Sequence, residues 1–158
     1  MQSARLVAAV ADLGSLGDFV RPVRKMRKQY YFRASERGLM AWDVDRIVTL
    51  AKRFPRIHVP LTAIRELDEP FWSDDDTPTW RAAVKHVRLI QAADLNFAII
   101  LSSDGRVMDG MHRVAKAVLL GRATIEAVKF TDDPEPDYIG VQPNELPYDD
   151  SSEPANIT

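Results

Sequence analysis

Residues 104–121 read DGRVMDGMHRVAKAVLLG. Asp109, Gly110, Met111, His112 and Arg113 bring a glycine, an imidazole and a guanidinium together between a short apolar run and a stretch of helical periodicity. The order is strand, tight glycine turn, helix. The first amides of a helix have no partner within it, and the helix dipole adds positive character there. A glycine at such a turn lets an anion approach the backbone closely. Arg113 supplies a fork of donors suited to phosphate oxygens, and His112 supplies another donor. This chemistry suits a phosphate or a carboxylate. The same spacing also fits a purely architectural turn, in which Gly110 makes the bend, His112 is a partly buried hydrogen-bonding group and Arg113 pairs with Asp109.

Other charged groups fall into patterns. Arg81, Lys85 and Arg88 follow one another at i, i+4 and i+7, which places them on one face of a helix. The run RPVRKMRKQYYFR over 21–33 is basic and carries no acid, and Tyr30, Tyr31 and Phe32 close it. From Thr131 to Thr158 there is no Lys or Arg, while acids and prolines recur. That composition predicts an extended or disordered tail over 131–158. The basic run is a solvated face, a holder for the acidic tail of this or a neighbouring chain, or a surface for a polyanion. Aromatics among cations can stack on nucleic-acid bases, but the acidic tail would compete.

Composition narrows the classes. The formal charge is −2, so the molecule as a whole is not built to coat nucleic acid. With no cysteine, disulfides, thiolate metal sites and thiol redox chemistry are excluded. His58, His86 and His112 are far apart in sequence, and no ligand-spaced metal cluster is expected. The apolar patch LVAAVADLGSLG is a poor signal peptide, and no stretch approaches the roughly 18 apolar residues of a membrane span. A cytoplasmic protein without membrane contact is expected.

The elements that must position these groups can be read from periodicity. Ala4–Leu13 suits a short helix. Val23–Phe32 suits a second, although its aromatic end also suits a strand. Asp43 is a good cap for a helix carrying Val44, Ile47, Val48 and Ala51 on one face, ended by Pro55. IHVPL over 57–61 alternates as a strand, and Pro60 predicts an edge position. Thr77 and Pro78 predict the start of a helix with Trp80, Ala83, Val84, Val87 and Ile90 as its apolar stripe. FAIIL over 97–101, the Asp104-Gly105 turn and Arg106–Met108 predict a hairpin. A helix from Met111 follows, with Ala115, Val118 and Leu119 apolar and Gly121 as its stop, then a strand over 124–130. The chain's 158 residues suit one α+β domain with a small mixed sheet and packed helices. It divides into an N-terminal helical extension (1–40), the main domain (41–130) and the acidic proline-rich tail (131–158).

The succession VPL, a helix near 78–93, a strand-turn-strand and then DGMHRVAKAVLLGRATIEAVKF resembles the ParB/sulfiredoxin superfamily over roughly 57–130. The residues that carry the resemblance are Asp109, Gly110, His112, Arg113, Ala115, Ala117, Gly121, Thr124 and Ile125. It implies a nucleotide-binding fold of the ParB N-terminal type, in which the Gly-x-His-Arg turn cradles nucleotide phosphates. By position, Arg81, Lys85 and Arg88 would add charge from the preceding helix. Sulfiredoxins use a cysteine where this chain has Met111, and a thioether cannot replace that thiolate. ParB partition proteins use CTP and add a DNA-reading helix pair, for which 131–158 offers no room, so specific DNA binding is not expected. A third branch resembles free-serine kinases, which place a glutamate base after the first strand. Glu66 and Glu69 of RELDEP hold that place. Asp74, Asp75 and Asp76 are a charged loop that could help hold Mg²⁺ with nucleotide phosphates.

The expected function is therefore binding of nucleotide phosphates (ATP, ADP or CTP, with Mg²⁺), extending to a small phosphotransferase or NTPase. The alternative is a non-catalytic binding or regulatory module engaging protein, a second copy as a homodimer, or nucleic acid.

Overall fold

The computed structural model describes residues 28–70 and 78–148. Its first element is a strand hairpin, β1 (Tyr30–Ser35) and β2 (Gly38–Asp43), paired antiparallel from Tyr30 opposite Asp43 to Ser35 opposite Gly38. The described part of the expected N-terminal helical extension is thus strand. β-branched neighbours are absent there, but the aromatic run Tyr30-Tyr31-Phe32 favours the pleated backbone over a helix. The helices expected over Ala4–Leu13 and from Val23 begin outside the described residues.

Asp43 ends β2 and caps α1 (Val44–Ala51), its carboxylate accepting from the Asp45 amide at 2.9 Å. β3 (Ile57–Pro60) is followed by two short 3₁₀ turns, Leu61–Ala63 and Arg65–Asp68. α2 spans Trp80–Ala92 and is capped by Thr79, whose hydroxyl accepts from the Ala82 amide at 3.1 Å. The cap is therefore Thr79 rather than Thr77. β4 (Ile99–Leu101) and β5 (Val107–Asp109) form a hairpin through the Asp104-Gly105 turn. α3 (Met111–Leu119) and β6 (Thr124–Lys129) complete the region, and β7 (Tyr138–Ile139) follows.

Two sheets result. One is the antiparallel β1-β2-β7; the other is ordered β3-β6-β4-β5, with β4 parallel to β6 and its other pairs antiparallel. The second sheet is mixed, and β3 with its Pro60 lies at its edge, where a missing amide donor is tolerated. The class is α+β.

Both faces of the mixed sheet are covered, which is why FAIIL is apolar without alternation. On one face Ile99, Leu101, Val107, Ile125 and Ala127 pack with Val114 and Ala117 of α3. On the other, Ile100, Met108, Val128 and Phe130 pack with Trp42, Ile47 and Ala51. The buried side of α3 is thus Val114 and Ala117, whereas Val118 and Leu119 are exposed. α2 buries no residue fully, and its expected apolar stripe faces outward at Trp80, Val84 and Val87.

The described part of the acidic tail is folded onto the domain. β7 pairs with β2, Leu146 is buried, and the Trp42 indole donates to the Pro134 carbonyl at 2.7 Å. Two of its acids are paired with arginines from other segments. Asp133 meets Arg33 at 3.0 Å and accepts from the Ser103 amide at 2.7 Å. Asp137 meets Arg46 at 3.1 Å and accepts from the Asp43 amide at 2.8 Å. Composition predicted disorder because it weighs acids as mutually repelling; here their partners come from other segments. Arg33 belongs to the basic run, so that run does hold part of the tail of its own chain.

Candidate functional site

Gly110 sits at φ +110°, directly before α3, a backbone conformation that L side chains rarely adopt. A Cβ there would lie 2.7 Å from Ile99 Cγ2 and 2.8 Å from Arg113 Nη2. Two constraints, conformation and space, require glycine. The α3 N-terminus receives no side-chain cap. The residues at its start, Asp109, Gly110, Met111 and His112, line one side of a cleft of about 1030 Å³. The opposite walls come from Lys28–Phe32, Val44, Pro143, Asn144 and Tyr148.

The aromatic wall is built by the hairpin and the C-terminal segment together. Tyr30 and Tyr148 meet edge to face at 5.4 Å, and the Tyr30 hydroxyl donates to the Pro147 carbonyl at 2.6 Å. Lys28 stands beside this wall, 3.0 Å from the Asp43 carboxylate. Tyr31 also packs on Trp42, and Arg33 lies over both rings.

The residues singled out from the sequence separate into two groups. Asp109, Gly110, Met111 and His112 line the cleft. Arg113 does not: its guanidinium folds under Gly110, donates to Asp109 Oδ2 at 2.7 Å and approaches the Ala98 carbonyl at 3.5 Å. These are the contacts of the architectural alternative, and they make Arg113 a positioning residue. Its Nε is buried with no hydrogen-bond partner among the described residues. Asp109, lining the cleft as a carboxylate, neutralises Arg113 and is not itself a phosphate donor.

Glu66 and Glu69 are not brought to the cleft. Glu66 accepts from the Val107 amide at 2.9 Å, tying the 3₁₀ turn to β5. Both oxygens of Glu69 accept from Arg106 Nη1, at 2.5 and 2.7 Å. Neither glutamate, expected as a base, is among the residues that line the cleft. Arg81, Lys85 and Arg88 are exposed on α2 and are not among the cleft walls. Asp74, Asp75 and Asp76 lie outside the described residues, as do Arg21, Arg24, Lys25 and Arg27. Among the described residues no group of three or more His, Asp or Glu could hold a metal ion. Among them, too, no helix is long and apolar enough to cross a membrane.

One contact was missed by sequence reasoning. His86 of α2 reaches across to His112, with Nδ1 and Nε2 3.4 Å apart and the rings edge to face. The available signal was the position of His86 on the inner face of α2, between Ala83 and Ile90, both part-buried. Burial holds the His112 imidazole below its ordinary range; His86 and then Arg113 push in the same direction, against Asp109. With a folded-state pKa below the unfolded one, the unfolded chain takes up more protons on acidification. The contribution of His112 is therefore complete above about pH 6.5 and is lost as pH falls through the lower folded value. Melting temperature is expected to drop as pH falls below about 6.5, and His112→Gln should flatten that drop. An identical pH profile in the variant contradicts this assignment.

A second cleft of about 560 Å³ lies beside β3 and β6, but its Arg56 is committed to Glu126 at 2.9 Å and to the Asn96 carbonyl at 3.0 Å. The uncapped helix start makes the larger cleft the candidate site. Comparison of the chain with family models, with curated proteins and with solved structures finds no match.

Proposed function

We propose that the cleft at the start of α3 binds the phosphate-bearing end of a nucleotide, as the resemblance to the ParB/sulfiredoxin superfamily implies. One observation carries this reading: an uncapped helix N-terminus, opened by a glycine at φ +110°, faces a cleft with an aromatic wall and a lysine. The amides of Met111 and His112 supply donors for phosphate oxygens, reinforced by the helix dipole. Tyr30, Phe32 and Tyr148 supply π-faces and edges against which a base can rest. Lys28 supplies positive charge at the same rim. Arg113 serves from behind, by fixing Asp109 and the turn.

The geometry favours binding over group transfer. Glu66 and Glu69 do not line the cleft, which weakens the phosphotransferase and NTPase readings. The imidazole that lines the cleft and could take a proton in a group transfer is His112, although burial lowers its proton affinity. The experiment pairs calorimetric titration with ATP, ADP, CTP and GTP, each with Mg²⁺, and a phosphate-release assay on the same samples. Saturable binding of at least one nucleotide without turnover is expected, weakened by Lys28→Ala. Turnover lost in His112→Gln with binding retained would establish the enzyme reading instead. No binding of any of the four at millimolar concentration sinks the proposal.

A further inference from the structure

Among the described residues, α2 packs on the others through the face that carries His86 and Ile90. The part-buried residues of that face include Ala82, Ala83, His86 and Ile90. The helix is held to α3 by the His86–His112 contact and, at its end, by Lys116 Nζ donating to the carbonyls of Gln91 and Ala93. The other side carries two adjacent strips. Trp80, Val84 and Val87 recur at i, i+4 and i+7 and are 90%, 49% and 48% exposed. Arg81, Lys85 and Arg88 recur at the same spacing about 100° further round the helix. All three are exposed, and no ion pair or hydrogen bond to a described residue engages their side chains. Three unneutralised cations flank an apolar ridge on a chain whose net charge is −2.

From this juxtaposition we infer that the outer face of α2 is a docking surface for an acidic amphipathic helix of a partner protein. Its apolar ridge would seat on Trp80, Val84 and Val87, and its carboxylates would face Arg81, Lys85 and Arg88. Anchors at i, i+4 and i+7 are the spacing by which one helix reads another, and tryptophan is enriched among the residues that anchor interfaces. Charge complementarity chooses the occupant. An antiparallel pair of α2 helices from two copies would set each basic strip against itself, which is repulsive. A nucleic-acid strand would use the cations but leave Val84 and Val87 without a role. α2 is about 20 Å long, so a partner helix of about 13 to 16 residues covers it. This surface is separate from the α3 cleft, and the inference does not depend on nucleotide binding.

The test uses the full chain and a fluorescein-labelled synthetic 16-residue peptide, with leucine at i, i+3, i+4 and i+7 and glutamate along one flank of that ridge, read by anisotropy. A scrambled peptide of the same composition, a single-stranded oligonucleotide and phosphatidylserine vesicles are run beside it. Saturable binding of the patterned peptide is expected, with roughly tenfold or greater loss in Trp80→Ala and in the Arg81→Glu/Lys85→Glu/Arg88→Glu triple variant. The triple variant should recover binding to a peptide with lysine in place of glutamate. Both variants alter exposed side chains, and unchanged circular dichroism would confirm their fold. Absence of binding, equal binding of the scrambled peptide, or tighter binding to the oligonucleotide or the vesicles overturns the inference.

Discussion

Gly110→Ala is expected to lower folding stability by about 2–4 kcal/mol, from backbone strain and overpacking together. The positive φ of +110° is costly for any residue with a Cβ. The added methyl would also press on Ile99, which is fully buried and cannot withdraw, and on the Arg113 guanidinium, which is held by Asp109. Relief of either contact disturbs something else. Moving Ile99 opens the core beneath α3, and moving Arg113 leaves Asp109 without its cation. Urea denaturation of the wild type and the variant measures the cost. A loss below about 1 kcal/mol would mean that the turn relaxes freely and that glycine is not required there.

Trp42→Ala is expected to cost about 3–5 kcal/mol, the range for removing a large buried aromatic. Trp42 is 2% exposed and packs with α1 and the mixed sheet in one cluster. Its indole nitrogen is a tie to that segment, donating to the Pro134 carbonyl, and its ring carries the Arg33 guanidinium that holds Asp133. Trp42→Phe separates the parts: it keeps much of the apolar volume and removes the hydrogen bond, so its cost should be clearly smaller than that of alanine. If alanine and phenylalanine cost the same, or if both cost little, residues 131–148 do not depend on this anchor.

What was legible in the sequence was local and periodic. Asp43 as a cap, the Asp104-Gly105 turn, the strand at FAIIL and the edge position of Pro60 each follow from the conformational needs of a few neighbouring residues. What was illegible depended on partners distant in sequence. Asp133 and Asp137 look like tail acids until Arg33 and Arg46 are placed beside them. The stripe of α2 reads as core from its period alone, because periodicity says which residues share a face and not whether anything covers it. Arg113 could be read either as facing a ligand or as pairing with Asp109, and the acid four residues before it takes its guanidinium. The His86–His112 contact joins two helices and has no local signature. Within the candidate site, the glycine turn and the uncapped helix start could be anticipated. The aromatic wall required the fold, because Tyr148 comes from the segment whose composition argued against structure.

The most direct test of the central claim follows the backbone amides themselves. A ¹⁵N-labelled sample of the full chain, titrated with ADP, with CTP and with inorganic pyrophosphate, should show saturable shifts largest at the amides of Met111 and His112. Tyr30 and Tyr148 ring signals should move with the nucleotides and not with pyrophosphate. If the first-turn amides of α3 stay in place while a ligand binds elsewhere, or if none of the three shifts them at any concentration, the α3 start is an architectural turn and not an anion site.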